Sequence, residues 1–147
     1  MRTITFACAV AGLVAATPLL AADPEGPVYN NGHVVTVTQI QTKDGRTDDY
    51  LRWLAGPWKQ QEEALKKAGV LVSYQVLLAT DARAGEPDVF LVQEYPNMAV
   101  FDRSTDSQYA LQKSIAGSLV ESNKQQVARG EIRTVMGYLM MREAILK

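Results

Sequence analysis

The stretch VLVSYQVLLATDARAGEPDVFLVQEY, residues 70–95, decides the fold of this protein. Its two ends, residues 70–80 and 89–95, are rich in the β-branched and aromatic residues that favour strands. Between them, Gly85 and Pro87 lie in a polar segment of the kind that forms turns. Two such runs separated by such a turn predict an antiparallel β-hairpin.

The residues before this hairpin predict a strand followed by a helix. Residues 33–42 contain many β-branched side chains and end at Asp44-Gly45, which predicts a strand. Residues 47–68 repeat apolar side chains at spacings of three and four, which is the period of a helix. Because Pro57 lacks a backbone N–H and crowds the preceding turn, we expect a kink there.

The residues after the hairpin repeat this order with a helix and then a strand. Asn97 is expected to cap a short turn, and Thr105-x-x-Gln108 has the spacing of a capping box. This box predicts one long helix that ends near Arg129-Gly130, and residues 132–146 predict the last strand.

The resulting β-α-β-β-α-β order predicts an α+β, ferredoxin-like fold, in which a four-stranded antiparallel sheet carries two helices on one face. The alternate positions of the strands are also apolar, as Leu77 and Leu91 illustrate, so both faces of the sheet require cover. Since two helices cover only one face, we expect a homodimer in which a second copy covers the other.

Two local stretches carry a resemblance to a known family. Residues 66–74, KKAGVLVSY, form the predicted helix-to-strand turn, and residues 94–98, EYPNM, end the third predicted strand. In these stretches and in element order the chain, from about residue 33 to residue 147, resembles the dimeric α/β-barrel superfamily. That resemblance implies sheet-to-sheet dimers, but it does not fix the chemistry. The superfamily holds cofactor-independent monooxygenases, heme-degrading enzymes, heme peroxidases, lactone isomerases and proteins without known activity.

The amino-terminal residues predict an export signal. Arg2 is followed by an uncharged apolar run, and Ala21-Ala22 precedes Asp23, which is the order of a secretory signal over residues 1–22. We expect cleavage after Ala21 or Ala22, a periplasmic or secreted protein, and no stable membrane anchor after cleavage. Residues 23–32 are rich in Gly, Pro and Asn and are interpreted as a flexible leader before a single domain over residues 33–147.

Composition excludes several functional classes. A chain of 147 residues corresponds to about one domain, and its net charge of -1 does not favour nucleic-acid binding. The single histidine, His33, is interpreted as an exposed residue at a strand end. The single cysteine, Cys8, lies in the predicted signal. We therefore expect no metal site, no heme and no other cofactor.

A few residues are candidates for a site. Glu94 is the acidic residue of a predicted strand, so burial is expected to raise the pKa of its carboxyl, as a general base requires; the alternative is an ion pair with a cation such as Arg133. Trp58, Gln61 and Tyr74 are candidates to line a ligand pocket between helix and sheet, and the alternative for the two aromatic residues is core packing. The charged residues Glu62, Glu63, Lys66 and Lys67 are interpreted as exposed (i, i+4) pairs.

Three functions are compatible with these features. The first is an exported dimer that binds a small hydrophobic molecule between the helices and the sheet. The second is a cofactor-independent monooxygenase or isomerase that acts on a hydrophobic compound. The third is a structural dimer. The residues leave open whether the protein is an enzyme and which ligand it takes.

Overall fold

The computed structural model describes residues 26–147. The predicted signal, residues 1–22, and the first residues of the predicted leader lie outside this range. The strands are β1 (Tyr29–Thr42), β2 (Ser73–Leu78), β3 (Val89–Tyr95) and β4 (Arg133–Leu146). The helices are α1 (Thr47–Trp53), α2 (Lys59–Lys67), α3 (Thr105–Ala116) and α4 (Leu119–Arg129).

The four strands form one antiparallel sheet in the order β2-β3-β1-β4. The predicted hairpin is present as β2 and β3, with Ser73 opposite Glu94 and Leu78 opposite Val89. The two helical segments follow β1 and β3, so the element order and sheet order are those of a ferredoxin-like fold. The predicted α+β fold class is therefore confirmed.

The first strand begins earlier than the sequence predicted. Residues 29–32 were assigned to the flexible leader, but they belong to β1, where Tyr29 pairs with Leu146 and Asn30 pairs with Ile145. The long β4 strand supplies the partner backbone, and this pairing overrides the turn preference of the local sequence. The register is irregular between Asn31 and Val34, where the Gly and Asn residues are accommodated.

Both predicted long helices are interrupted. The first contains a π-helical segment, Leu54–Trp58, around Pro57, which confirms the predicted kink. The second was predicted to be continuous, but it divides into α3 and α4. Gly117 adopts a positive φ of 72°, and the Ser118 hydroxyl accepts a hydrogen bond from the Glu121 N–H. This glycine and the new amino-terminal cap end one helix and begin the next.

The start of α3 differs by one residue from the predicted capping box. Ser104, not Thr105, is the cap, and its hydroxyl accepts from the Ser107 N–H at 3.3 Å. The Gln108 side chain donates instead to the Arg103 carbonyl at 2.8 Å. The predicted cap at Asn97 is confirmed, because its side chain accepts from the Ala99 N–H at 2.9 Å.

The hydrophobic core lies between the sheet and the first helical segment. Ile40, Val89 and Leu91 project from the strands toward Tyr50 and Leu54, and Trp58 completes the cluster. This contact positions α2 against one face of the sheet. No helix within residues 26–147 is long and apolar enough to cross a membrane.

The opposite face of the sheet, called the open face below, is also apolar. Strand register places on it Val35, Val37, Leu77, Phe90, Val92, Leu139 and Met141. Leu77, Leu139 and Met141 remain 49%, 46% and 47% exposed. The expectation that both faces of the sheet are apolar is thus confirmed, and no element of residues 26–147 buries these three side chains.

Candidate functional site

A cavity of about 350 Å³ lies between α2, α3 and the end of β3. Its volume is at the lower end of the range of small-molecule sites, about 300–1,000 Å³. Leu65 and Leu111 contribute apolar surface from the two helices, and Phe101 contributes more from the loop after β3. The lining is apolar over its larger part, but polar residues also contribute to it: Gln61, Glu62, Tyr95, Arg103, Gln108, Gln112 and Ser122.

A buried polar network lies at this cavity. It consists of Thr36 on β1, Glu62 on α2, and Gln93 and Tyr95 on β3. The Gln93 amide donates to Glu62 Oε2 at 2.8 Å, while the Gln93 amide oxygen accepts from the Tyr95 hydroxyl at 3.1 Å and from the Thr36 hydroxyl at 3.4 Å. The strand register explains this convergence, because Thr36 and Gln93 are direct partners on the helix-facing side of the sheet.

Glu62 is the electrostatic centre of this network. Only 3% of its surface is exposed, and burial raises the pKa of its carboxyl above the ordinary value, although the hydrogen bond from Gln93 acts in the opposite direction. Burial also raises the pKa of Tyr95 to about 12, so its hydroxyl remains a donor. The cavity therefore combines apolar walls with a desolvated carboxyl group.

Only one of the three predicted pocket residues lies at the cavity. Gln61 lines the cavity. Trp58 and Tyr74 do not line it; they contact each other edge to face, with ring centroids 5.3 Å apart, at the hydrophobic core. The Tyr74 hydroxyl donates to Glu63 Oε1 at 2.6 Å, and this bond is the main reason that the pKa of Tyr74 rises to about 12. Core packing, the alternative named for the aromatic residues, describes their environment.

The prediction for the carboxyl of Glu94 was wrong. Glu94 lies on the open face, where its carboxylate accepts from the Ser73 hydroxyl at 2.6 Å and pairs with His33 Nδ1 at 2.6 Å. These contacts hold the pKa of Glu94 below its ordinary value instead of raising it, and the hydrogen bond from Ser73 has the largest effect. The partner of Glu94 is His33 and not Arg133, whose guanidinium lies over the ring of Tyr50. The sequence did not place these groups together because their pairing depends on strand register.

The position of His33 also differs from the prediction. It lies inside β1 and is paired with Glu94, because β1 extends to Tyr29. A second cavity, of about 580 Å³, borders His33 at the end of the sheet and also contacts Asn97, Arg142 and Glu143. These last three residues are exposed, and two of them, Arg142 and Glu143, carry opposite charges. This cavity lacks a buried polar group and is the weaker candidate for a ligand site.

Sequence reasoning missed Glu62, which was assigned to an exposed face. A signal for its burial was present, since Glu62 follows Trp58 by four residues and precedes Leu65 by three, on the same helical stripe. Its partner Gln93, and Thr36, which donates to Gln93, are polar residues at inward-facing strand positions. Within residues 26–147, no group of three His, Cys, Asp or Glu residues is arranged to hold a metal ion.

Comparisons with known proteins are consistent with this topology. No protein-family model and no curated protein sequence matches the chain. Protein SO0527 from Shewanella oneidensis has a similar structure, with a TM-score of 0.52, 16% identity, and coverage of 80% of this chain and 96% of that chain. HapK from Hahella chejuensis aligns at a TM-score of 0.49 and 17% identity over 75% of this chain and 91% of its own. A dimeric ferredoxin-like protein from an uncultured marine organism aligns at a TM-score of 0.49 and 10% identity, over 80% of this chain and 90% of that chain. At 16% identity the likeness to protein SO0527 concerns the fold alone. From the element order and the strand order β2-β3-β1-β4 we conclude that the described part of this chain has the ferredoxin-like fold.

Proposed function

We propose that this protein binds a small hydrophobic molecule in the cavity between α2, α3 and the sheet. The observation that carries the proposal is a cavity of about 350 Å³ with apolar walls and one buried carboxyl group, Glu62, among its lining residues. A protein with a solely structural role has no need of a desolvated carboxyl at such a position, because burial of that group costs stability.

The direct test is a native mass spectrum of the protein purified from its own host. We expect an additional mass that corresponds to a co-purified molecule. A Leu111→Trp variant, which fills the cavity from α3, should lose that mass while the fold is kept. Spectra that contain only the polypeptide, for both proteins and after addition of apolar probe compounds, would contradict the proposal and favour the structural role.

The working form of the protein is proposed to be a homodimer joined through the open face. Leu77, Leu139 and Met141 are about half exposed in the single chain, and together with the neighbouring valines they form a continuous apolar surface. Large contiguous apolar patches on soluble proteins mark interaction sites. In a dimer with two-fold symmetry the same face of each chain packs against that of the other, so the patch would be buried on both chains.

Export is proposed from the sequence alone. The uncharged apolar run after Arg2 and the small residues Ala21 and Ala22 support removal of residues 1–22. Amino-terminal sequencing of the protein from its host tests this, and we expect a first residue at Ala22 or Asp23. A soluble protein that retains Met1 would contradict export.

A further inference from the structure

One oxygen of the buried Glu62 carboxyl is left for a ligand. Oε2 accepts from the Gln93 amide at 2.8 Å, whereas no hydrogen bond from any residue in the range 26–147 reaches Oε1. Glu62 is 97% buried and lines the cavity, but Oε1 itself is not fully buried, so this oxygen can be reached from the cavity. No group of residues 26–147 donates to this oxygen, and a ligand in the cavity that carries a donor can satisfy it.

The orientation of the network makes Glu62 an acceptor. The hydroxyls of Thr36 and Tyr95 both donate to the oxygen of the Gln93 amide, which directs the NH₂ group of Gln93 toward Glu62. Every hydrogen bond in this chain of groups thus runs toward the carboxyl. Because Gln93 is held from the other side, the carboxyl oxygen is fixed in place, and its acceptor site does not need to be reorganised when a ligand binds.

The walls of the cavity select against a charged ligand. Leu65, Val70, Leu111 and Ile115 contribute hydrocarbon to the lining that they share with Glu62, and the polar residues Gln61, Gln108, Gln112 and Ser122 in this lining are neutral. Arg103 is the cation among the described lining residues, and it is exposed and forms no ion pair with Glu62. An ammonium group would have to lose its hydration shell against these apolar walls, whereas a neutral hydroxyl loses much less.

We infer that the ligand is a neutral, largely apolar molecule with a hydroxyl group, such as a phenol or an aliphatic alcohol, whose O–H donates to Glu62 Oε1. This inference rests on the proposed function, since it specifies the ligand of the same cavity. The hydroxyl group would lie beside Glu62 on α2, and the apolar part of the ligand would lie between Leu65 of α2 and Leu111 of α3.

The test compares two fluorescent probes, naphthol and its methyl ether methoxynaphthalene, in which a methyl group replaces the donor hydrogen. We expect the wild-type protein to bind naphthol about tenfold more tightly, which corresponds to about 1.4 kcal/mol for one hydrogen bond to a buried acceptor. In Glu62→Gln, the amide oxygen can keep the bond from Gln93, and an NH₂ donor replaces the free acceptor. That variant should lose the preference for naphthol. The matched control Glu63→Gln, at the exposed neighbouring position, should keep it.

Three results would overturn the inference, and they differ in what else they overturn. If both probes bind the wild type equally, the hydroxyl assignment is wrong while the cavity remains a binding site. If the cation naphthylmethylammonium binds more tightly than naphthol, the ligand class is a cation. If neither naphthol nor methoxynaphthalene binds and the Leu111→Trp variant behaves identically, the proposed binding function fails together with the inference.

Discussion

Replacement of Glu62 by glutamine should stabilise the folded protein at neutral pH. The substitution conserves shape and keeps an oxygen to accept from Gln93 Nε2, but it removes a carboxyl that is 97% buried and has only one hydrogen bond within residues 26–147. Mutational data give about 1–3 kcal/mol for a buried polar group that lacks a partner. We take the lower end, about 1 kcal/mol, because one of the two oxygens is bonded. For a chain of this size that corresponds to an increase in Tm of about 3 °C.

The gain should depend on pH with a defined sign. Burial raises the pKa of Glu62 in the folded state above the ordinary value of 4.5. Below about pH 4.5 the carboxyl is protonated in both the folded and the unfolded state, so its ionisation does not lower the free energy of unfolding. As the pH rises through the folded pKa, the folded state must ionise a desolvated group, and the free energy of unfolding of the wild type falls relative to that of Glu62→Gln.

Thermal unfolding of both proteins at a series of pH values measures this difference. The Glu63→Gln variant is the control, because it removes the same charge from an exposed position on the same helix. Its stability should stay within about 0.5 kcal/mol of the wild type. A Glu62→Gln gain that is independent of pH, or that is largest in acid, would refute the assignment of Glu62 as a desolvated carboxyl.

Three other perturbations test separate parts of the structure. Leu139→Lys places two like charges across the proposed dimer interface and should give a monomer by light scattering. The control Val120→Lys, on the exposed side of α4, should remain dimeric. If the Leu139→Lys variant is also a dimer, the interface does not lie on the open face. Glu94→Gln should cost about 1 kcal/mol at neutral pH, because the hydrogen bonds of the carboxylate to Ser73 and His33 are charge-assisted. Because these contacts lower the folded pKa of Glu94 below its ordinary value of 4.5, that cost should shrink as the pH falls below about 4.5, and a cost that grows in acid would show that the pKa is not lowered. Gly117→Ala should destabilise the protein by about 1 kcal/mol or more in chemical denaturation, since alanine is strained at a φ of 72°; an unchanged midpoint would mean that α3 and α4 merge without cost.

The sequence was sufficient for features that depend on local patterns. The β2–β3 hairpin follows from two strand-like runs around a Gly- and Pro-containing turn, and the interruption of the first helix follows from Pro57. The division of the second helix was missed because a single Gly117 is tolerated within many helices, and only the cap at Ser118 makes the break evident.

The site depended on contacts between distant residues and was predicted only in part. Gln61 was placed correctly beside the cavity, but its neighbour Glu62 was not, because the burial of Glu62 requires Gln93 and the later helix α3 to lie over it. The carboxyl of Glu94 was misjudged for a related reason. The hydrogen-bonding partners that lower its pKa come from two other strands, and their alignment is set by register.

A crystal structure of the protein grown with naphthol tests the proposed binding site most directly. We predict electron density for the ring between α2 and α3, with the hydroxyl oxygen within hydrogen-bond distance of Glu62 Oε1 and the Gln93 contact unchanged. A structure in which the side chains of α3 close the cavity, or in which naphthol occupies only other surfaces, would contradict it.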